Sequence, residues 1–324
     1  MLECMRVSTL AAVLLTTGCN LHAVNNEKGP INLAVDGERI GVAVGERGVD
    51  LLDWKTSARL AHADPGGASD SYDDVALAGG WLFALDADDG LLSVFDAKTL
   101  AVVQRDVEVP VGPYSGVAAA GGRVVVSGGT DAATVFRYDT AGRLTVERTV
   151  EGHRGKPEVA LDREGRAMFF STHFSDPVDG HEFGLSVATF DGRFVDALGL
   201  PGAGFTEGGG RPASFPIRAA ITQERVLVAH GGGLSIVAYD GTLDLKLLTT
   251  LNLGIQAVDV TVEGSTAWVV GVSPSSVVEV DLTEPAAPKV RKRTPLSDPP
   301  SAIVASGDKL VIATGALEVV MLPR

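Results

Sequence analysis

Apolar residues form short runs along the whole chain, and glycine, serine, proline and acidic residues interrupt them at short intervals. The clearest example is residues 257–292, where three valine-rich runs, Val258–Val262, Ala267–Val272 and Val277–Leu282, precede a shorter run, Lys289–Lys292. Short β-rich runs split by turn-forming residues are typical of antiparallel strands joined by tight turns. This segment therefore predicts a four-stranded sheet, and such a sheet cannot bury both of its faces alone.

The same unit recurs along the chain and supplies the neighbours that this sheet needs. An apolar residue of the first run returns in steps of 41 to 43 residues, with one step of 59, at Leu33, Val75, Val117, Ala160, Ala219, Val260 and Ile303. The third run closes on an aspartate in six copies, at Asp53, Asp96, Asp139, Asp191, Asp240 and Asp281. We expect these aspartates to cap the following turns. Four-stranded repeats of this period predict an all-β, seven-bladed β-propeller with four antiparallel strands per blade.

Two copies resemble known repeats. Residues 277–290, VVEVDLTEPAAPKV, resemble the LVIVD repeat, and residues 91–104, LLSVFDAKTLAVVQ, resemble the YVTN repeat. Both repeats belong to β-propellers of bacterial surface and periplasmic proteins. As architecture, the resemblance covers roughly residues 31–322. Neither family has one fixed activity, so the resemblance implies the fold and is nearly silent on chemistry.

The N-terminus has the pattern of a targeting segment. Arg6 precedes an apolar run, Val7–Leu15, that is too short to span a bilayer, and Cys19 follows shortly afterwards. This pattern resembles a bacterial lipoprotein signal, which implies that Cys19 becomes the lipidated first residue. Thr16 occupies the position where that signal usually has leucine, so an ordinary secretory signal is the alternative. Asn20 after the cysteine favours, by the same resemblance, sorting to the outer membrane.

These features divide the chain into three parts. We expect residues 1–18 to be the signal peptide, residues 19–30 to be the lipidated N-terminus and closing strand, and residues 31–324 to be the propeller. The seventh copy supplies no fourth strand, and an open sheet edge invites aggregation. We therefore predict that Leu21–Val24 pair with Leu317–Leu322 as the outer strand of blade 7. The mature protein would be exported and face the periplasm or the cell surface.

Composition excludes some functions. The chain has 324 residues, of which 45% are hydrophobic, so one large ring can use nearly all of it. The formal net charge is −14, which argues against a nucleic-acid partner because phosphate binding needs a basic surface. Only two cysteines are present. Cys4 lies in the predicted signal and Cys19 would carry lipid, so the mature protein would have no disulfide and no cysteine-ligated metal.

Blade 4 carries the extra residues that produce the step of 59. They are divided between Ser175–Phe183, between its second and third strands, and Pro201–Pro216, the connection into blade 5. In a propeller these two loop types open on the same face, and long loops on a rigid scaffold often carry function. We predict that they form the main recognition surface, including Phe205 and Arg211.

Ionisable residues in this region offer one candidate metal site. His173, Asp176, Asp179 and His181 are suitable ligands for a divalent metal, although their spacing fits no specific motif. The alternative is a solvated polar loop, and no other cofactor is predicted. Asp86–Gly90 resembles part of a calcium loop but lacks the downstream glutamate, so we interpret it as a turn. We interpret His230, which ends a strand as His173 does, as a satisfied surface histidine, and a pair of the two histidines across neighbouring blades is the alternative.

The first residues of the inner strands should converge at the mouth of the central channel. Aligned on Val75, they are Asn32, Asp74, Gly116, Val159, Arg218, Asp259 and Ala302. The four polar members, Asn32, Asp74, Arg218 and Asp259, form a candidate binding set. We expect Arg218 to lie near Asp74 or Asp259 because partly buried charges tend to persist in pairs. A water-filled channel with paired charges is the alternative.

Two classes of function are compatible with these patterns. The first is a lipid-anchored envelope propeller that binds a protein partner through its top-face loops, without catalysis, and meets the membrane only through its anchor. The second is a lactonase-like propeller hydrolase, perhaps metal-dependent, with its site at the channel mouth. Only Asn32, Asp74 and Asp259 provide suitable ligands near the axis, and this small number favours binding over catalysis.

Overall fold

The fold is a seven-bladed all-β propeller, as the repeats predict. The computed structural model describes residues 22–23, 32–109, 116–127, 132–151, 159–162, 166–176, 180–201, 218–222, 224–314 and 318–324. Within these residues, 28 strands form seven four-stranded antiparallel sheets. One 3-10 helix, Gly45–Arg47, is the only helical element in this part of the chain. No helix of the described residues is long and apolar enough to cross a membrane.

Each blade contributes four strands, from the axis outwards. The inner strands are β2 (Asn32–Asp36), β6 (Asp74–Ala78), β10 (Gly116–Ala120), β14 (Val159–Leu161), β18 (Arg218–Thr222), β22 (Gln256–Glu263) and β26 (Pro300–Ser306). The second strands are β3 (Arg39–Ala43), β7 (Trp81–Asp86), β11 (Arg123–Ser127), β15 (Ala167–Asp176), β19 (Arg225–His230), β23 (Thr266–Val272) and β27 (Lys309–Thr314). The third strands are β4 (Val49–Asp53), β8 (Leu91–Asp96), β12 (Ala132–Tyr138), β16 (Gly180–Thr189), β20 (Gly233–Tyr239), β24 (Ser276–Asp281) and β28 (Glu318–Pro323). The outer strands are β5 (Arg59–Ala63), β9 (Val102–Glu108), β13 (Leu144–Glu151), β17 (Phe194–Gly199), β21 (Leu245–Leu251), β25 (Lys289–Pro295) and, for blade 7, β1 (His22–Ala23).

The hydrophobic core lies between the blades. Seven clusters of buried residues are present in the described chain, and each joins two neighbouring blades. The cluster between blades 7 and 1 closes the ring, where Ile40 and Val42 pack with Val311 and Ala313. Each sheet therefore buries both of its apolar faces against other copies of itself, which an isolated sheet cannot do.

The N-terminal strand completes blade 7. β1 pairs antiparallel with β28, with His22 opposite Val319 and Ala23 opposite Glu318. The prediction that the ring is closed by an N-terminal strand is confirmed at these two positions. Residues 21 and 24, the ends of the predicted strand, lie outside the described residues.

The aspartates that follow the third strands cap turns, as predicted. Asp53 Oδ1 accepts hydrogen bonds from the backbone N–H groups of Lys55 and Thr56 at 3.0 and 2.8 Å. The hydroxyl of Thr56 also donates to it and contributes most to the lowered pKa of this carboxyl. Asp281 repeats the arrangement with Thr283, and its pKa falls to about 2. These carboxylates stabilise the turns at the bottom face, opposite the face where the inner strands begin.

Blade 4 differs from its sequence interpretation. Ser175–Phe183 was expected to be a loop, but β15 and β16 extend into it and pair Ser175 with His181 and Asp176 with Gly180. Only residues 177–179 separate the two strands. The second long segment, residues 202–217, lies outside the described residues.

The connection from blade 1 to blade 2 packs closely on the outer strand of blade 2. Ala68 N–H donates to Asp106 Oδ2 at 3.1 Å. Gly67 has φ of +77°, and a Cβ at this position would lie 2.1 Å from the same oxygen. Glycine is therefore required here both by backbone conformation and by the close carboxylate.

We predict that Gly67→Ala is more destabilising than Gly80→Ala. Both glycines have positive φ, but a Cβ at Gly80 would meet nothing within 4 Å. The backbone strain common to both should cost about 1 kcal/mol, and overlap with Asp106 should add about 1–3 kcal/mol at Gly67. Denaturant unfolding measures the difference. Equal losses in the two variants would show that the connection does not need the close contact.

Candidate functional site

The inner strands bring the predicted axial residues together at the top face, which we define as the face where these strands begin. In blades 1 to 5 the strands start at Asn32, Asp74, Gly116, Val159 and Arg218, as aligned. In blades 6 and 7 they start earlier, at Gln256 and Pro300, and a register shift precedes Asp259 and Ala302. One extra residue in each strand, Val258 or Ser301, produces this shift, and Asp259 and Ala302 still pair with Val270 and Ala313 of the second strands.

Asp74 joins three blades. Its Oδ1 accepts the N–H of Val75 in its own strand at 2.8 Å and the side-chain amide of Asn32 in blade 1. Its Oδ2 accepts the N–H of Val117 in blade 3 at 2.8 Å. A buried carboxylate with these donors is well satisfied and fixes the spacing of neighbouring inner strands.

Asp259 forms a similar hydrogen-bonded connection, or tie, between blades 6 and 7. Its Oδ1 accepts the N–H of Val260 at 2.8 Å, and its Oδ2 accepts the N–H of Ile303 at 2.7 Å. One oxygen thus bonds the aspartate's own strand and the other bonds the next blade, as for Asp74. Both aspartates were predicted at the axis, but their role as acceptors between blades was not. Their shared register, one residue before the aligned apolar position, was the signal that could have indicated it.

A cavity of about 190 Å³ lies beside these ties. Its polar lining comes from Asn32, Arg218, Asp259 and Thr261, and apolar side chains such as Val159 form the remainder. Burial raises the pKa of Asp259 to about 6, against the positive charge of Arg218, which lowers it. Arg218 and Asp259 therefore lie close together, as predicted. The cavity has room for several ordered water molecules or one small solute.

His230 forms a buried hydrogen-bond chain within blade 5. Gly232 N–H donates to its Nδ1 at 3.1 Å, which assigns the ring proton to Nε2. Nε2 therefore donates to Ser235 Oγ at 2.8 Å, and Ser235 in turn contacts Thr250 Oγ1 at 2.9 Å. A histidine that activates a serine must accept its proton, so this polarity is structural. The expectation of a surface histidine was wrong, because the residue is fully buried, and burial lowers its pKa to about 4.

Three carboxylates meet at the top of blade 2. Asp70, from the connection into this blade, lies with Asp86 and Asp89 so that all three oxygen ligands are within 4.8 Å of one another. The negative charge of Asp86 is the main cause that raises the pKa of Asp89. Asp86 accepts the N–H groups of Asp70 and Asp89 and its carbonyl accepts that of Gly90. The turn interpretation of Asp86–Gly90 is therefore confirmed.

The predicted metal and recognition residues fall largely outside what the structure describes. His173 is opposite Phe183 in the long hairpin, and His181 is opposite Ser175, but only their backbones are described. The same holds for Asp176, which pairs with Gly180. Asp179, Phe205 and Arg211 lie outside the described residues. The metal set and the loop surface stay predictions.

Comparisons with known proteins identify the fold. No family model and no curated protein matches the sequence. Kuenenia stuttgartiensis hydrazine synthase is similar in structure at 14% identity, with 98% of this chain and 99% of that chain covered and a TM-score of 0.70. Virginiamycin B lyase from Staphylococcus aureus is similar at 12% identity, with 95% of this chain and 99% of that chain covered and a TM-score of 0.68. BamB from Moraxella catarrhalis is similar at 12% identity, with 91% of this chain and 85% of that chain covered and a TM-score of 0.59. At these identities the similarity shows the propeller fold alone.

We predict a measurable loss of stability on Asp74→Ala. The substitution leaves two backbone N–H groups and the Asn32 amide without their acceptor, which should cost about 3 kcal/mol. Asp88→Ala, at an exposed position of the neighbouring turn, is the control and should change stability by less than about 0.5 kcal/mol. Denaturant unfolding compares the two. A loss at Asp74 no larger than at Asp88 would contradict the role of Asp74 as a tie.

We also predict opposite pH effects from Asp259 and His230. Because the pKa of Asp259 is raised in the folded protein, this residue stabilises the folded state fully below about pH 3.8. The stabilisation is lost as the pH rises through about 6. Because the pKa of His230 is lowered in the folded protein, this residue stabilises the folded state fully above about pH 6.5. The stabilisation is lost as the pH falls towards about 4.

Between pH 7 and pH 4, melting temperature should therefore fall more steeply for Asp259→Asn than for the parent protein. It should fall less steeply for His230→Gln. Each variant is compared with its own value at pH 7, so that any constant loss cancels. Parallel curves for all three proteins would contradict the assignment.

Proposed function

We propose that this protein is a lipid-anchored, non-catalytic binding protein of the bacterial envelope that engages a protein partner through its top-face loops. The observation that carries the proposal is the use of the axial carboxylates. Asp74 and Asp259 both accept backbone N–H groups from a neighbouring blade. Residues that fasten the ring in this way are poorly suited to bind and release a substrate.

The alternative, a propeller hydrolase at the channel mouth, needs several oxygen or nitrogen ligands free to converge on an ion or a substrate. Asn32 accepts the N–H of Leu33 at 2.8 Å through Oδ1 and donates its amide to Asp74. Its polar atoms, like those of the two aspartates, are engaged within the fold. The His230–Ser235 pair has the wrong hydrogen-bond polarity for a nucleophile and its base.

Binding through loops fits the remaining features. The longest inter-blade connection by sequence, Pro201–Pro216, joins the outer strand of blade 4 to the inner strand of blade 5, and the two strand ends that it joins lie at the top face. Phe205 and Arg211 are of residue types that are enriched in protein interfaces. The structural neighbours include a synthase and a lyase, so the fold itself does not choose between binding and catalysis.

The anchor is tested by Cys19→Ser. In cells, the unaltered protein should incorporate labelled palmitate and sediment with outer membranes, whereas the variant should lose the label and appear in the soluble periplasmic fraction. As a control, the variant is exported with an unrelated secretory signal, so that loss of the lipid can be distinguished from loss of export. Sedimentation of both proteins with membranes, or absence of label in both, would contradict the lipoprotein assignment.

Partner binding is tested by Phe205→Ala combined with Arg211→Ala. Quantitative crosslinking in intact cells should show at least a tenfold loss of one reproducible protein adduct, because such residues often dominate interface energy. The matched control is Phe194→Ala combined with Arg193→Ala, a phenylalanine and an arginine exposed at the bottom of blade 4. Equal adducts in both variants would place the interface elsewhere. One tightly held metal ion per purified chain would favour the hydrolase.

A further inference from the structure

Backbone amides at the start of the inner strands share one feature around the axis. In five blades, the N–H of the aligned apolar residue donates to a side-chain oxygen at the axis, over 2.7 to 2.8 Å. These five donors are Leu33, Val75, Val117, Val260 and Ile303. Their acceptors are the side chains of Asn32, Asp74 and Asp259. Amide donors therefore face the axis, and the ring supplies oxygen acceptors for them.

Blade 5 has such a donor where the ring has no carboxylate. Its inner and second strands pair in the same register as those of blade 2, with the fifth residue of the first opposite the first residue of the second. N–H groups alternate in direction along an antiparallel strand, so the N–H of Ala219 points to the axis as that of Val75 does. Arg218 precedes it, where blade 2 has Asp74. Among the residues that the structure describes, none accepts this N–H at the axis.

The axial cavity of about 190 Å³ lies beside this amide. Arg218 and Ala219 line it from blade 5, and Asp259 and Thr261 line it from blade 6. A guanidinium has five N–H donors in one plane and binds carboxylates through two parallel hydrogen bonds. The donors in this part of the cavity therefore suit a carboxylate, which is the group that the ring itself places before the aligned residue in blades 2 and 6.

The size and the remaining lining of the cavity restrict the ligand further. Leu33, Val159 and Val304 are apolar residues that face the same space. A dry cavity of about 150 Å³ holds a benzene molecule. The axial cavity therefore has room for a carboxylate with a short aliphatic chain, and a nucleotide or an oligosaccharide is too large for it.

Asp259 determines when a second carboxylate can enter. Burial raises its pKa to about 6, the charge of Arg218 opposes that effect, and the charge of Asp74 adds to it. Above this pH the ionised Asp259 repels an anion in the cavity. Below it, Asp259 is neutral and the positive charge of Arg218 dominates the cavity.

We propose that the cavity binds a small aliphatic monocarboxylate, whose oxygens accept hydrogen bonds from the Arg218 guanidinium and the backbone N–H of Ala219. The ligand completes in blade 5 the contact that Asp74 and Asp259 make in their own blades. It uses donors at the axis, so the two aspartates keep their role as ties. The site depends neither on the lipid anchor nor on the top-face loops, and it goes beyond the proposed function.

Propionate is the probe for this site, and propionamide is the matched uncharged molecule. Calorimetric titration of the purified full chain should show propionate binding about tenfold or more tightly at about pH 5.5 than at about pH 7.5, because Asp259 is mostly protonated only at the lower pH. At about pH 5.5, propionamide should bind at least about tenfold more weakly, since it forms no charge-assisted hydrogen bond with Arg218. Equal affinity for the two molecules, or no binding of propionate, would overturn the proposal.

Two variants assign the roles of the charged residues. Arg218→Gln should lower the affinity for propionate at least about tenfold. Arg225→Gln, at an exposed arginine at the bottom end of the same blade, is the matched control and should leave the affinity unchanged. Asp259→Asn should bind propionate at about pH 7.5 as tightly as the unaltered protein does at about pH 5.5, because the amide is neutral. Unchanged binding by Arg218→Gln, or a persisting pH effect in Asp259→Asn, would contradict the site.

A measurement on the unaltered protein keeps the test decisive if Arg218→Gln does not fold. Propionate should shift the amide resonance of Ala219 in the NMR spectrum, because this N–H gains an acceptor. The amide resonances of Val117 and Ile303 should stay in place, since both already donate to carboxylates. Shifts at all three amides, or at none, would refute the proposed site.

Discussion

Every blade of this protein is a four-stranded sheet with two apolar faces, and burial of both faces is the constraint on which the rest of the structure depends. In the part of the chain that the structure describes, all seven hydrophobic clusters lie between neighbouring blades. Such a ring must close, because an open end would expose one face of the first and last blades. Closure places Ile40 and Val42 against Val311 and requires a chain terminus to complete blade 7.

At the axis, polar side chains also help to hold neighbouring blades together. Inner strands from different blades approach one another there, and the N–H groups of Val117 and Ile303 donate to side chains of the preceding blade. Asp74 and Asp259 supply acceptors across the seams, to Val117 and Ile303. Burial of Asp259 raises its pKa, and the nearby Arg218 opposes that effect. Asp74 and Asp259 therefore fasten the ring, and recognition by the loops is our proposal.

Much of the fold was predictable because its determinants are local. The spacing of valine-rich runs identified the strands and blades, and an aspartate such as Asp53 caps its turn with donors two and three residues away. The alignment of inner-strand starts correctly brought Arg218 to Asp259. Closure by residues 22–23 followed from counting strands, since blade 7 lacked one.

The features that sequence reasoning missed depend on other blades or on burial. The acceptor role of Asp74 involves Val117, 43 residues away, and only the closed ring brings the two together. His230 was predicted at the surface because it ends a strand. Its ring is buried, and the N–H of Gly232 in the following turn donates to it. The hairpin at Ser175–Phe183 was interpreted as a loop because the segment is rich in Asp, Pro and Gly, which are typical of turns. Asp70 joins Asp86 and Asp89 only through the connection between two blades.

Amide hydrogen exchange at Val117 and Ile303 tests the central claim, that the axial carboxylates fasten the ring, most directly. Both N–H groups donate to buried carboxylates, at 2.8 and 2.7 Å, and not to a strand ladder oxygen. The account predicts that they exchange as slowly as amides in the second strands, and that added Ca²⁺ or Zn²⁺ leaves their rates unchanged. Fast exchange at either amide, or rates that change when metal is added, would show that Asp74 and Asp259 are free to act as ligands.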